Sequence, residues 1–445
     1  MLQAAQFYER PPVAPHPARE TKLNLTVLGL WHLGCVTAAC CARHFQVIGL
    51  DFDAQNVENL RQGRAPLFEP GLDALLSAGL ERNQLSFTTD PETACANADI
   101  LWLTYDTPVN EKDESDVESV LANLRRALPH LREGALVLIS AQLPAGSCAR
   151  LEAEFPRFHF ACSPENLRLG RAIEAFEKAD RVIAGIRGEA DKPLLEELFR
   201  PFTPRVLFMR TESAEMVKHA LNSFLALSVT FINEIARLCG HVGADAREVS
   251  AGLKSEPRIG PKAYLGPGGA FAGGTLARDV VTLTGLAAEK GETLAVIPAI
   301  TRSNDLHRGW AFRRLESRLG ELAGKTVAIL GLTYTPNTDT LRRSAAVEVC
   351  LRLAAAGAVV KAFDPRVKRL PEELAGVRLA RDIAEAVADA DAAVVCTEWP
   401  AFREAPWASL APAMRQAVIV DANGFLEKEL KSIPGLEHLS VGRAS

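Results

Sequence analysis

Two stretches of this 445-residue chain repeat one pattern. In the first, Asn24-Leu25-Thr26-Val27-Leu28-Gly29-Leu30 is an apolar run that breaks into a glycine turn. A helical pattern follows from about 33 to 44, and a second apolar run, Gln46-Val47-Ile48-Gly49-Leu50-Asp51, closes on a carboxylate. In the second stretch, Lys325-Thr326-Val327-Ala328-Ile329-Leu330-Gly331-Leu332 and Val359-Val360-Lys361-Ala362-Phe363-Asp364 echo both runs. Continuous apolar runs of this kind are strands covered on both faces, as parallel sheets flanked by helices require. Strand, turn, helix and strand within ~30 residues is the length of one βαβ unit. Further apolar runs at 100–104, 136–140, 392–396 and 417–421 extend the two patterns. The alternation predicts two Rossmann-like, doubly wound α/β domains.

The segment between them differs. From about 213 to 239 it holds neither Gly nor Pro and keeps a helical apolar period. That predicts one long central helix of ~27 residues and ~40 Å, with more helix to about 319. The expected organisation is a flexible tail over 1–22, an N-terminal domain over 23–210, a central helical region over 211–320 and a C-terminal domain over 321–445.

Composition narrows the partners. The formal net charge is −5, and no basic stretch is interleaved with aromatics, so neither nucleic acid nor an acidic membrane surface is an expected partner. The nine cysteines show no C-x-x-C spacing, which reads as reduced, buried thiols of a cytoplasmic protein. The nine histidines are equally dispersed, and no metal site is expected. The first ~20 residues lack the apolar core of a signal peptide. No run of ~18 apolar residues marks a membrane span.

Ligands of doubly wound sheets lie beyond the carboxyl ends of the strands. The turn there reads Gly29-Leu30-Trp31-His32-Leu33-Gly34. A dinucleotide fingerprint is G-x-G-x-x-G, in which the first glycine makes the turn, the second admits the pyrophosphate and the third lets the helix pack closely. Here the middle position is Trp31, whose indole either crowds the diphosphate or rotates away. Asp51 stands about 20 residues on, where a carboxylate receives the adenosine ribose hydroxyls and disfavours a 2′-phosphate. The context favours NAD over NADP. The plainer alternative is a βαβ unit whose Gly and Asp serve only turn and cap.

Several further segments occur together: Leu50-Asp51-Phe52-Asp53, Glu69-Pro70-Gly71-Leu72, Thr107-Pro108, Ser163-Pro164-Glu165, Lys218-x-x-x-Asn222 and Ile232-Asn233-Glu234. They are followed by Arg258-Ile259-Gly260, a glycine-rich run over 266–279, Thr338-Asp339 with Arg342 and Ser344, and Asp364-Pro365. In this order they resemble the UDP-glucose/GDP-mannose dehydrogenase family, from about residue 23 to 441. The resemblance implies an NAD domain, a central helical dimerisation region giving a homodimer, and a C-terminal nucleotide-sugar domain. It implies oxidation of the C6 alcohol of a nucleotide sugar to a carboxylate with two NAD, the second step passing through a cysteine thioester. It places Lys218 and Asn222, on one helix face, at the oxyanion formed on C6. Glu165 falls at the glutamate that assists water and proton transfer, and Asp279 at the aspartate that orients a catalytic water. It assigns Gly29, Trp31, Leu33, Gly34, Asp51, Thr107, Gln142 and Arg342 to the cofactor, and Arg258, Gly268 and Gly273 to the substrate. Read from the residues alone, Lys218 and Asn222 suit a solvated face, Glu165 a surface charge and Asp279 a helix cap.

The chain departs from the family at its chemistry. Thr275 stands where the family has its cysteine and Arg278 where it has lysine, within Gly273-Gly274-Thr275-Leu276-Ala277-Arg278-Asp279. A threonine hydroxyl is scarcely ionised at neutral pH and needs an adjacent base to act as a nucleophile. Cys162, three residues before Glu165, is read as a buried structural thiol. Gln142 replaces a threonine near the nicotinamide, and Tyr334-Thr335-Pro336 replaces a Phe-Lys pair. The expectation is an NAD-dependent oxidoreductase acting on a UDP- or GDP-sugar that does not use the thioester route. The alternatives are a nucleotide-sugar-binding or regulatory homologue, and a redox-neutral epimerase that retains NAD.

Overall fold

The computed structural model describes residues 22–108, 115–165, 167 and 169–443. The tail expected over 1–22 lies, except for Lys22, outside them. The chain divides into two compact units. One comprises the described residues up to Pro108 together with Asp116–Lys218; the other comprises Ser115 and the described residues from His219 onward.

The first unit is built on eight strands: β1 (Asn24–Leu28), β2 (Gln46–Leu50), β3 (Leu85–Thr88), β4 (Ile100–Leu103), β5 (Leu136–Ile139), β6 (His159–Cys162), β7 (Val182–Ile186) and β8 (Val206–Arg210). Their order is β3-β2-β1-β4-β5-β6-β7-β8. β1 to β6 run parallel, β7 meets β6 antiparallel, and β8 is parallel to β7. The order reverses direction at β1, the switch point at which a doubly wound sheet leaves its ligand crevice. β4 and β5 are buried along their whole length, which explains why Ile100-Leu101-Trp102-Leu103 and Leu136-Val137-Leu138-Ile139 show no alternation.

The second unit carries β9 (Thr326–Leu330), β10 (Val359–Phe363), β11 (Arg378–Leu379), β12 (Ala392–Val395), β13 (Val418–Asp421) and β14 (Glu437–Leu439). Their order is β11-β10-β9-β12-β13-β14, all parallel. Both doubly wound sheets thus form from the expected runs. Of the unforeseen strands, β11 and β14 are only two and three residues long, β3, β6 and β8 carry polar or charged residues, and β7 is an ordinary apolar run, Val182-Ile183-Ala184-Gly185-Ile186.

The central helix runs from Thr211 to Val242, 32 residues and about 48 Å, longer at both ends than the sequence pattern. It begins in the first unit, and the division between units falls after Lys218. In one respect it differs from expectation: by length and composition this helix is apolar enough to cross a membrane. Its buried residues have packing partners within each unit. Ala214 joins the first unit's core beside Ile183, while Ala236 and Cys239 join the second's.

Candidate active site

The carboxyl end of β1 turns sharply at Gly29, whose φ of +97° suits glycine alone. The helix His32–Cys41 then starts so close to that turn that a Cβ on Gly34 would lie 1.8 Å from the Gly29 carbonyl oxygen. These are the roles of the first and third fingerprint glycines. The backbone at the middle position is not strained, since Trp31 has an ordinary φ of −87°. Its indole is 46% exposed, so it is turned out of the fold. No side chain caps this helix, leaving the backbone N–H groups of His32, Leu33 and Gly34 as a ready anion site. Asp51 lies one strand over, accepting from Leu30 N at 2.6 Å and Asp53 N at 3.1 Å.

A buried carboxylate braces this turn. Glu69 accepts from His32 Nε2 at 2.9 Å, Gly170 N at 2.8 Å and Ala172 N at 2.8 Å. Burial alone would push its carboxyl up, but these hydrogen bonds outweigh burial and hold it below the usual carboxylate range.

Further along the edge, Thr107 Oγ1 donates to the Gln142 carbonyl at 2.8 Å, tying the ends of β4 and β5. Ser140 Oγ accepts from Trp102 Nε1 at 2.8 Å and donates to the Ser163 carbonyl at 2.5 Å, which positions the loop carrying Glu165. Lys218 reaches that loop. Its Nζ donates to the Glu165 carbonyl at 2.6 Å and lies 3.2 Å from Glu165 Oε1, while Glu165 Oε2 accepts from Leu167 N at 2.7 Å. Lys218 is only 8% exposed, so the solvated-face reading of this residue does not hold. The pair is a buried lysine nitrogen beside a half-buried carboxylate.

In the second unit a separate cluster forms on the next turn of the central helix. Asp279 is fully buried; its carboxylate accepts from Asn222 Nδ2 and sits 2.7 Å from His219 Nδ1. It lies inside the helix Thr275–Glu289 rather than capping it. His219 was not foreseen, although it stands directly after Lys218 on a helix already singled out. Thr275 is exposed at the start of that same helix.

The glycine-rich loop is held from several sides. Gly268 N donates to Asn233 Oδ1 at 3.0 Å, and the Gly268 carbonyl meets His307 Nε2 at 2.8 Å. Gly269 N donates to Asn423 Oδ1 at 2.8 Å, and Phe271 exchanges bonds with Asn304 at 3.0 and 2.8 Å. Burial, reinforced by the nearby Arg237 and Arg313 charges, pushes His307 down to about 4 against the opposing bond to Gly268. Asn304, His307 and Asn423 were invisible to motif reading, because isolated polar residues declare their partner only in the fold. Gly273 is half-buried just before the helix Thr275–Glu289. Arg258 points to solvent, its Nε 2.8 Å from Glu256, with its side chain 87% exposed. Arg342 is likewise exposed. The structure therefore groups Glu165 with Lys218, and Asn222 with Asp279, but leaves Arg258 and Arg342 on the surface.

Three segments match the domains of one family: its NAD binding domain over residues 23–203, its central domain over 212–306 and its UDP binding domain over 328–428. The chain belongs to the UDP-glucose/GDP-mannose dehydrogenase family. It is similar to the UDP-glucose 6-dehydrogenase of Rhizobium meliloti, 32% identical over 436 residues that cover 95% of this chain and 100% of that one. The UDP-glucose 6-dehydrogenase of Pseudomonas aeruginosa is 32% identical over 443 residues, covering 95% and 98%. Among solved structures, a UDP-glucose dehydrogenase from Pyrobaculum islandicum superposes with a TM-score of 0.85 at 30% identity, covering 97% of this chain and all of that one. As a family member, the chain has an NAD binding domain in its first unit, and the uncapped helix His32–Cys41 with its glycine turn belongs to that domain.

Proposed function

We propose that this dehydrogenase-family chain oxidises an alcohol, at C6, of a UDP- or GDP-sugar with NAD, and that it stops after one hydride transfer. We assign NAD to 23–210, the subunit contact to 211–320 and the nucleotide sugar to 321–445. The observation that carries the reading is the buried Lys218–Glu165 pair, with Asn222 following one helical turn later. The residues of the β1 turn fit the cofactor: the N–H groups of His32, Leu33 and Gly34 for its diphosphate, and Asp51 for a ribose diol. Bound there, NAD supplies a hydride acceptor.

The chain's own groups supply the rest. The Lys218 ammonium and the Asn222 amide stabilise the negative charge that develops on the substrate oxygen. Glu165, within reach of Lys218, accepts the alcohol proton. Asp279 orients Asn222 through their hydrogen bond. Thr275 supports the two-electron limit, since the Asp279 carboxylate one turn on is already engaged with His219 and Asn222 and is poorly placed to activate a hydroxyl.

The test is stoichiometry at 340 nm with limiting nucleotide sugar. One NADH per sugar is expected, rising toward two in Thr275→Cys. Two per sugar in the intact protein would refute the two-electron limit, and none with any nucleotide sugar would refute the enzymatic reading.

We also read the assembly as a homodimer. Phe224, Phe231 and Leu238 recur at seven-residue spacing on the central helix and stay exposed, Phe224 at 66%. An apolar stripe of this kind seeks a partner surface. Light scattering should give twice the 48.1 kDa chain mass; a monomer at micromolar concentration would exclude the assembly. The nine free cysteines support a reducing, cytoplasmic location.

A further inference from the structure

Tyr105 follows β4 at the same strand edge. An added Cβ on Gly29 would meet three atoms of its ring at 2.6, 2.7 and 2.8 Å, so the ring lies flat on the glycine turn. Its hydroxyl is cut off from solvent and has no hydrogen-bond partner among the described residues. Burial first, and the Asp51 charge second, push the phenol well above its usual range, so it keeps its proton. Beside it, the Arg126 guanidinium carbon lies 3.5 Å over the Phe52 ring, and Arg126 itself is exposed on a long, flexible stem.

A buried hydroxyl left unmatched is destabilising. The Tyr105 ring lies on the turn of Gly29 and within the field of the Asp51 carboxylate, the two features that mark the adenosine side of the crevice. We propose that Tyr105 is a cofactor-contacting residue, its O–H donating to a ribose or phosphate oxygen in the adenosine half of NAD once Arg126 and the ring adjust. The inference rests on the assignment of NAD to this edge. It adds a neutral donor beyond the backbone N–H groups and the Asp51 acceptor, and it explains why the chain tolerates an unsatisfied hydroxyl there.

The test is calorimetric titration of the full-length protein and of Tyr105→Phe with NAD and with ADP-ribose, alongside thermal melting without ligand. Loss of one neutral hydrogen bond should weaken both ligands about 3- to 10-fold. The unliganded variant should melt at or above the parent, because the removed oxygen had no partner to lose. Three results would overturn the proposal: equal affinities in the variant, a penalty for NAD but not for ADP-ribose, or a lower unliganded melting temperature. The first of these leaves the proposed function intact, whereas failure of the parent protein to bind NAD removes both.

Discussion

Gly34→Ala tests whether the dinucleotide turn is built by close approach. The added methyl would sit 1.8 Å from the Gly29 carbonyl oxygen, 2.9 Å from its carbon and 2.9 Å from Thr104 Oγ1, where ordinary contact begins near 3.4 Å. Relief requires about 1.5 Å of separation between the turn and the helix. Neither neighbour yields easily. Thr104 Oγ1 is already bonded to the carbonyls of Leu28 and Gly29, and all ten residues of the helix His32–Cys41 are buried. Overpacking of this severity costs about 3 kcal/mol or more. It also moves the first-turn N–H groups off the diphosphate, and loss of one or two charge-assisted bonds predicts roughly 10-fold or greater weakening of NAD. Urea unfolding gives the first quantity and calorimetry the second. Gly188→Ala is the control, since nothing lies within 4 Å of a methyl there and φ is −132°. If Gly34→Ala unfolds within about 1 kcal/mol of the parent and binds NAD as tightly, the close-approach argument is wrong.

Two further predictions concern the chemistry and the loop. Lys218→Ala should lower kcat with the nucleotide sugar by roughly 10²- to 10³-fold while leaving the Kd for NAD near that of the parent; an unchanged kcat would remove the ammonium from the mechanism. His307 is neutral in the folded protein, with its pKa lowered to about 4 from 6.5. The unfolded chain therefore gains a proton on this residue below about pH 6.5 while the folded chain does not. Stability contributed by His307 is full above pH 6.5 and declines as pH falls toward 4, by about 2 kcal/mol between pH 6.5 and 5. His307→Gln should flatten that part of the urea-midpoint profile, and an unaltered slope would contradict the shift.

The sheets were legible because their central strands are buried on both faces. Leu136-Val137-Leu138-Ile139 and Thr326-Val327-Ala328-Ile329-Leu330 carry that burial in their composition. Strand β8 escaped notice because Val206-Leu207-Phe208-Met209-Arg210 is only half-buried and ends on a charge, where packing rather than composition decides the conformation. The same division runs through the site. The glycines and the Lys218–Asn222 spacing obey local rules of turn and helix, so they can be read along the chain. The partners cannot. That Glu165 belongs to Lys218, that Asp279 belongs to His219 and Asn222, and that Trp31 turns outward are outcomes of distant segments arriving together.

The two strand-end aspartates show how far an echo in sequence can mislead. Asp51 and Asp364 occupy corresponding places after β2 and β10. Asp364 Oδ2 accepts from Leu332 N at 2.7 Å, Thr333 N at 3.0 Å, Thr333 Oγ1 at 3.1 Å and Trp399 Nε1 at 3.1 Å, and its Oδ1 accepts from Arg366 N at 2.8 Å. A carboxylate offers about two lone-pair sites on each oxygen, so Asp364 Oδ2 is saturated and only Oδ1 keeps a site. Asp51 engages one donor on each oxygen and retains capacity for two more. Both carboxylates thus hold the turns after β1 and β9, through Leu30 N and Leu332 N, but Asp364 is the more fully engaged. With Asp51 proposed for the ribose diol, Asp51→Asn should weaken NAD in calorimetry, where Asp364→Asn should instead lower the urea midpoint.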